Sequence, residues 1–141
     1  MEVRDWSGST GESWAAEWQR TDRSFGGVTD RLLARTRDLP FRRVVDIGCG
    51  AGELSLALAR GRRDAEVAGV DISPALLAVA RERGANLANL RFFEADAADW
   101  RPRGAAPELI VSRHGVMFFN DPRAAFANMA GFAAEGANLL F

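Results

Sequence analysis

The stretch VVDIGCGAGELSLALA, residues 44–59, joins a strand pattern to a helix pattern through a glycine-rich turn. The β-branched run RVVDI, residues 43–47, predicts a buried strand, and GELSLALAR, residues 52–60, predicts a helix that ends at Gly61. The turn between them has the pattern G-x-G-x-G, formed by Gly48, Gly50 and Gly52. Because glycine adopts positive φ and lets a ligand approach the backbone, this turn is the first candidate binding element.

Strand and helix patterns continue to alternate from this turn to the end of the chain. Further strands are predicted in EVAGVDI (66–72), LRFFEAD (90–96), ELIVS (108–112) and GANLLF (136–141). Ser73 followed by Pro74 predicts the start of one helix, Gly84 its end, and Asp121-Pro122 the start of another. The strands are mostly apolar, which favours a parallel sheet covered on both faces. We therefore predict an α/β, doubly wound parallel sheet that binds its ligand at the carboxyl ends of the strands.

The first 40 residues differ from the rest in being polar and rich in tryptophan. Helical patterns lie around Trp14–Arg20 and Val28–Thr36, and Trp14 and Trp18 share one helix face. We expect an N-terminal helical segment over 1–40 and the ligand-binding domain over 41–141. The segment either packs on the sheet as a cap or closes over the ligand as a lid.

Composition narrows the class of function. The 141 residues carry 18 basic and 19 acidic side chains, which favours neither nucleic acid nor a membrane surface as partner. All the basic residues except one histidine are arginine, so lysine chemistry is excluded. A single cysteine excludes an internal disulfide and a multi-cysteine zinc site, and no metal site is predicted. No signal peptide or membrane span is recognisable, so we expect a cytoplasmic protein.

The residues around the turn indicate the charge of its ligand. A Walker loop requires lysine, and the dinucleotide pattern G-x-G-x-x-G requires glycine at position 53, where Glu53 stands. Asp46 precedes the turn by two residues and would repel a diphosphate. A positively charged nucleoside, S-adenosylmethionine, suits these acids, since it carries a sulfonium and an ammonium group. The alternative is that Asp46 only accepts hydrogen bonds from the amides of the turn.

Acidic residues also follow the second and third strands. Asp71 can accept hydrogen bonds from both hydroxyls of a ribose, or it can serve as an N-terminal acid of the next helix beside Ser73. Ile72 is predicted to pack on the adenine or in the core. Asp96 and Ala97 are predicted to contact the adenine edge, although an aspartate at a strand end is usually a turn former.

Four segments together resemble the successive motifs of class I S-adenosylmethionine-dependent methyltransferases: VVDIGCGAGELS, VDIS, EADAADW and ELIVSRHGVMFFNDP. The resemblance implies a Rossmann-like sheet of order 3-2-1-4-5-7-6, of which strands 6 and 7 are missing here. It implies that Asp46, Gly48 and Gly50 line the methionine end of the cofactor, with Asp71 at the ribose and Asp96 and Ala97 at the adenine. Ser112 and Arg113 would meet the cofactor near its amino group.

The segment SRHGVMFFNDPRAAFANM is similar to methyltransferases of the ubiquinone-biosynthesis and trans-aconitate type, so we expect a small organic acceptor. No Asn/Asp-Pro-Pro-aromatic tetrad, typical of enzymes that methylate amino groups of nucleic acids, is present. His114 is the candidate general base, with positioning or packing as the alternative. Cys49 is predicted to fit the turn as a small side chain, not as a nucleophile, and Gly52 completes the cofactor-binding set.

Two other functions stay open at this level. One is a cofactor-binding module without catalytic activity, and the other is a nicotinamide-dependent oxidoreductase, which Asp46 and Glu53 disfavour. The chain stops at Phe141 inside an apolar strand pattern. We therefore expect a truncated domain, whose last strand forms an exposed edge through which the chain can self-associate.

Overall fold

The computed structural model describes residues 3–141, so the first two residues of the predicted 1–40 segment lie outside it. Its centre is a sheet of five strands: β1 Arg43–Ile47, β2 Glu66–Asp71, β3 Leu90–Glu94, β4 Leu109–Val111 and β5 Asn138–Leu140. The strands lie in the order β3-β2-β1-β4-β5, and every neighbouring pair is parallel. The predicted α/β class and the order 3-2-1-4-5 are confirmed.

Residues 3–141 also form six α-helices: α1 Val3–Trp6, α2 Ser9–Ala16, α3 Trp18–Thr36, α4 Glu53–Gly61, α5 Pro74–Arg83 and α6 Pro122–Phe132. A 3-10 helix, Gly115–Phe118, follows β4. The predicted helix starts are formed as expected, since Ser73 accepts a hydrogen bond from Leu76 N and Asp121 accepts one from Ala124 N.

The helix α3 differs from the sequence pattern, which predicted two separate helical stretches. It runs unbroken through Gly26 and Gly27, and the break lies earlier, at Glu17 between α2 and α3. Leu32 and Leu33 of α3 pack against the sheet core. This packing supplies the stability that the two glycines do not, because glycine in a helix interior costs about 1 kcal/mol relative to alanine.

Alternate residues of β1 belong to two cores, one on each face of the sheet. Val44 packs with Leu56 and Leu58 of α4, whereas Val45 packs with Met129 and Phe132 of α6. The sheet is thus covered on both faces, as its apolar strands predicted. Among residues 3–141, no helix is long and apolar enough to cross a membrane.

Candidate functional site

A cavity of about 230 Å³ opens at the carboxyl ends of the parallel strands. Its lining combines the glycine turn, the residues after β2, β3 and β4, and side chains of the N-terminal helices. Ten residues predicted from the sequence lie in this lining: Asp46, Gly48, Cys49, Gly50, Asp71, Ile72, Asp96, Ala97, Arg113 and His114. Gly52 and Ser112, which were also predicted, lie behind it.

The three glycines of the turn serve different purposes. At Gly48 φ is +66°, and a Cβ would lie 2.7 Å from Gly115 Cα, so a side chain is excluded by the loop after β4. At Gly50 φ is +54°, and a Cβ would meet nothing within 4 Å. The open side of Gly50 therefore gives a ligand access to the backbone. Gly52 instead faces Ala80 of α5 and serves the packing of that helix.

Asp46 is buried, with 1 % of its surface exposed, and it accepts a hydrogen bond of 2.7 Å from Ser55 Oγ. Burial raises the pKa of its carboxyl to about 7, although the Ser55 bond and the charge of Arg113 oppose the rise. At neutral pH the carboxyl is therefore only partly ionised, and a neighbouring positive charge would favour the carboxylate. The donor, Ser55, belongs to α4, so this bond does not come from the amides of the glycine turn.

Asp71 is the carboxylate that holds the turn. Its Oδ2 accepts from Gly50 N at 2.8 Å, and its Oδ1 accepts from Ser73 N at 2.9 Å. Burial raises the pKa of Asp71, while these two amide bonds oppose the rise. Each carboxylate oxygen has a second lone pair, so Asp71 can still accept from ligand hydroxyls.

The wall after β3 is built by a turn that Asp96 closes. Asp96 Oδ1 accepts from Ala98 N at 2.8 Å, so this aspartate is both a turn former and a cavity residue. Asn128 of α6 donates to Ala97 O at 2.9 Å and to Trp100 O at 2.7 Å. No sequence pattern indicated Asn128, because its role depends on α6 reaching this loop.

The loop after β4 is fixed against β1 by Ser112, whose Oγ donates to Ile47 O at 2.7 Å. Ser112 therefore positions the loop from behind the cavity. His114 follows with φ of +68°, the only positive φ outside glycine in residues 3–141, and its ring lies 4.6 Å from that of Phe25. A left-handed backbone is strained for histidine, and such strain is retained where the surroundings fix it.

Arg113 does not offer a free charge to the cavity. Its guanidinium pairs with Glu53 at the start of α4 and donates to Thr29 Oγ1 at 2.9 Å, and Thr29 also donates to Glu53 at 2.9 Å. Both charged side chains are largely buried. Because Glu53 is neutralised in this way, its charge does not point at the turn. The charge of Glu53 therefore does not disfavour a nicotinamide cofactor, although the absence of the third glycine at position 53 still does.

Cys49, the single thiol, is buried. Desolvation raises the pKa of the Cys49 thiol well above its ordinary value, and the charges of Asp71 and Asp46 raise it further. The side chain is therefore a protonated, buried group, which does not suit a nucleophile. No cluster of three or more histidine, cysteine, aspartate or glutamate residues in the described part of the chain is placed to hold a metal ion.

The N-terminal helices contribute a second wall, which the sequence suggested only through its tryptophans. The residues from this segment are Trp6, Trp14, Trp18, Thr21, Asp22 and Phe25. Arg83 at the end of α5 ties this wall to the turn, since it donates to Ala51 O at 2.8 Å and to Asp22 at 2.7 Å. Its guanidinium also lies 3.9 Å over the Trp18 ring. The contact between the N-terminal wall and the turn thus depends on Arg83, which no sequence pattern had indicated.

The family model of a methyltransferase domain matches residues 44–136. The chain is 39 % identical over 108 residues to the trans-aconitate 2-methyltransferase of Methylobacterium radiotolerans, covering 77 % of this chain and 40 % of that protein. It is 28 % identical over 103 residues to the malonyl-[acyl-carrier protein] O-methyltransferase of a Paenibacillus strain, covering 70 % of this chain and 37 % of that one. The chain therefore spans about 40 % of the length of such curated relatives.

Solved structures agree on the fold. A putative S-adenosyl-L-methionine-dependent methyltransferase of Methanococcus maripaludis superposes with a TM-score of 0.78 at 23 % identity, covering 92 % of this chain and 62 % of that one. The N-methyltransferase NodS of Bradyrhizobium japonicum, solved with S-adenosyl-L-homocysteine, gives 0.70 at 21 % identity and covers 80 % of this chain and 58 % of that one. At these identities the similarity shows a shared fold.

Proposed function

Because this chain belongs to the class I S-adenosylmethionine-dependent methyltransferases, we propose that its cavity binds S-adenosylmethionine and that the protein methylates a small organic acceptor. The observation that carries the proposal is the placement of two aspartates, the buried Asp46 and the half-buried Asp71, around a turn whose Gly50 is open to a ligand. The chain spans about 40 % of its curated relatives, so the activity is proposed for the whole protein.

The residues present suit the chemical groups of this cofactor. A buried carboxyl with a raised pKa, such as Asp46, gains a charge partner when a cationic ligand enters, which offsets its desolvation. We assign Asp46, Gly48 and Gly50 to the methionine end. We assign Asp71 to the ribose hydroxyls, because its oxygens keep free lone pairs after accepting from Gly50 N and Ser73 N.

The remaining lining residues complete the assignment. Ile72, Asp96 and Ala97 are proposed to contact the adenine. Arg113 is proposed to contribute through its backbone, since its guanidinium is held by Glu53. Cys49 contributes the small side chain that the turn accommodates, while Gly52 and Ser112 shape the site from behind.

Bound S-adenosylmethionine supplies a methyl group that its sulfonium already activates. The task left to this chain is to hold donor and acceptor in line, which can lower a barrier by about 7–11 kcal/mol in well-oriented systems. His114 lies in the cavity lining and is the proposed base for an acceptor that arrives protonated. The near-balanced charge supports a small molecule over nucleic acid, and the single cysteine supports a location in the cytoplasm.

Calorimetry tests the cofactor assignment directly. The chain is titrated with S-adenosylmethionine, with S-adenosylhomocysteine and, as a competitor class, with NAD. We expect saturable binding of the first two and none of NAD. Asp71→Ala should weaken binding at least tenfold, since it removes every acceptor that Asp71 offers to the ribose. The exposed Asp38→Asn is the matched control and should bind as wild type.

Two outcomes contradict the proposal. A folded chain that binds neither S-adenosyl compound at millimolar concentration refutes the cofactor site, and an unchanged affinity of Asp71→Ala refutes the ribose assignment. A cofactor-binding module without catalytic activity is the second candidate, because the glycine turn and the strand-end residues proposed to bind the cofactor all lie in this chain. Binding without formation of S-adenosylhomocysteine across a panel of acceptors would support it.

A further inference from the structure

Three consecutive residues of the loop after β4 each contact a different part of the fold. Arg113 pairs with Glu53 at the start of α4. The ring of His114 lies 4.6 Å from a phenylalanine ring of α3. Gly115 lies against the glycine turn, since a Cβ at Gly115 would be 2.9 Å from Gly48 Cα. The loop is therefore held between α3, α4 and the turn at which we place the methionine end of the cofactor.

The first of these contacts belongs to a closed set of three polar side chains, Thr29, Glu53 and Arg113, which we call the Thr29 triad. Arg113 donates to Thr29 Oγ1 at 2.9 Å and pairs with Glu53, while Thr29 donates to Glu53 at 2.9 Å. Thr29 is 4 % exposed, and the side chains of Glu53 and Arg113 are 23 % and 15 % exposed. Hydrogen bonds to charged groups are stronger than neutral ones, and low exposure leaves little water to compete with them. The triad therefore restricts the position of Arg113.

The residue next to the triad has a backbone conformation that needs support. His114 has φ of +68°, which is strained for a residue with a Cβ. Both of its neighbours are held, Arg113 by the triad and Gly115 by the glycine turn. The guanidinium of Arg113 also lies 5.5 Å from the centre of the Phe25 ring, which is the ring that packs on His114. The place of the imidazole in the cavity lining thus depends on what Arg113 contacts.

We propose that Thr29, Glu53 and Arg113 are positioning residues, which hold the imidazole of His114 in the cavity lining next to the glycine turn. This inference rests on the proposed function, in which His114 is the base. The guanidinium of Arg113 is occupied by the triad, so this side chain acts through His114 and not on the ligand. Because Thr29 belongs to α3, the N-terminal segment takes part in placing the proposed base.

NMR of the imidazole tests the proposal without any substrate. His114 is the only histidine of the chain, so the carbon–proton signal of the imidazole in untagged protein reports on this residue alone. Ring currents of Phe25 displace this signal from its position in the unfolded chain. Thr29→Val keeps the branched shape and removes the hydroxyl, and at pH 8 without ligand it should lose at least half of the displacement. Thr29→Ser returns the hydroxyl and should return the signal toward that of wild type.

The matched control is Thr36→Val. Thr36 lies on the same helix as Thr29 and is also 4 % exposed, but its hydroxyl donates to Leu33 O within the helix, at 2.8 Å. This variant removes a buried hydroxyl just as Thr29→Val does, and it should leave the His114 signal unchanged.

A second variant removes the charges of the triad. Arg113→Met alone would leave Glu53 largely buried and without its charged partner, which destabilises a fold strongly. The double variant Glu53→Gln/Arg113→Met avoids this, because neither replacement carries a charge. It should lose at least half of the displacement of the His114 signal, and circular dichroism checks that it folds.

Calorimetry with S-adenosylhomocysteine measures whether the triad serves the site. Thr29→Val should bind it about threefold more weakly than wild type, because a network that fixes a loop of the site is loosened. Thr36→Val should bind as wild type.

Three results would overturn the inference: a wild-type His114 signal in both Thr29→Val and the double variant, an equal change of that signal in Thr36→Val, or an unchanged affinity of Thr29→Val. If wild type does not bind S-adenosylhomocysteine, the proposed function fails instead. The signal of the ligand-free protein then still decides whether the triad positions His114.

Discussion

Replacing Asp46 with asparagine should stabilise the folded chain at alkaline pH and weaken its binding of the cofactor. Burial raises the pKa of Asp46 from 3.8 to about 7. In the unfolded chain the carboxyl releases its proton near pH 3.8, whereas the folded chain keeps it until about pH 7. Between these values the unfolded state binds fewer protons, so the stability of the wild type falls as pH rises, and the full penalty is present above pH 7.

The size of the effect follows from the pKa shift. A shift of about 3 units at 1.36 kcal/mol per unit corresponds to about 4 kcal/mol at high pH. Asparagine carries no charge to desolvate, and its Oδ1 can still accept from Ser55 Oγ. The stability of Asp46→Asn relative to wild type should therefore increase by about 3 kcal/mol between pH 4.5 and pH 8.5.

Urea unfolding followed by circular dichroism at several pH values in this range measures the difference. Asp38→Asn, an exposed position, is the control and should show a difference that does not change with pH. If the difference in unfolding free energy between Asp46→Asn and wild type changes by less than about 0.5 kcal/mol across this pH range, burial does not destabilise the ionised Asp46 carboxylate. The same variant should bind S-adenosylmethionine at least tenfold more weakly at pH 8, because asparagine offers no negative charge to the cationic ligand.

Two further predictions concern the pH dependence of cofactor binding and the attachment of the N-terminal helices by Arg83. The affinity of the wild type for S-adenosylmethionine should fall about tenfold from pH 8 to pH 6, since at pH 6 Asp46 must lose its proton before it receives a cation. Asp46→Asn should lose this pH dependence. Calorimetry that finds the same change of affinity with pH in both proteins would contradict the prediction. Arg83→Met should lower the free energy of unfolding by about 2 kcal/mol, because Asp22 loses a buried charged partner. Chymotrypsin should then cleave after Trp18 at least threefold faster than in Arg81→Met, an exposed position on the same helix, and equal rates would show that Arg83 does not hold the segment.

Which features of the site were predictable depends on how far apart the interacting residues lie in the chain. The candidates at strand ends, such as Asp46 and Asp71, were predictable, because parallel strands bring their carboxyl ends to one edge. The contacts that these carboxylates make were not predictable. Asp71 holds Gly50, 21 positions away, and Arg113 holds Glu53, 60 positions away. Such pairs form only when separate strand–helix units are packed together.

The amino-acid sequence by itself determined the order of strands and helices, the parallel sheet and the glycine turn, since these depend on local periodicity, capping residues and backbone freedom. Only the tertiary structure decided that Glu53 is neutralised and that Arg83 fastens the N-terminal helices over the cavity. It also decided that Trp6 has a buried donor without a partner. The physical reason is that charge neutralisation, burial and hydrogen bonding depend on which distant side chains come within a few ångströms, and no local pattern encodes that distance.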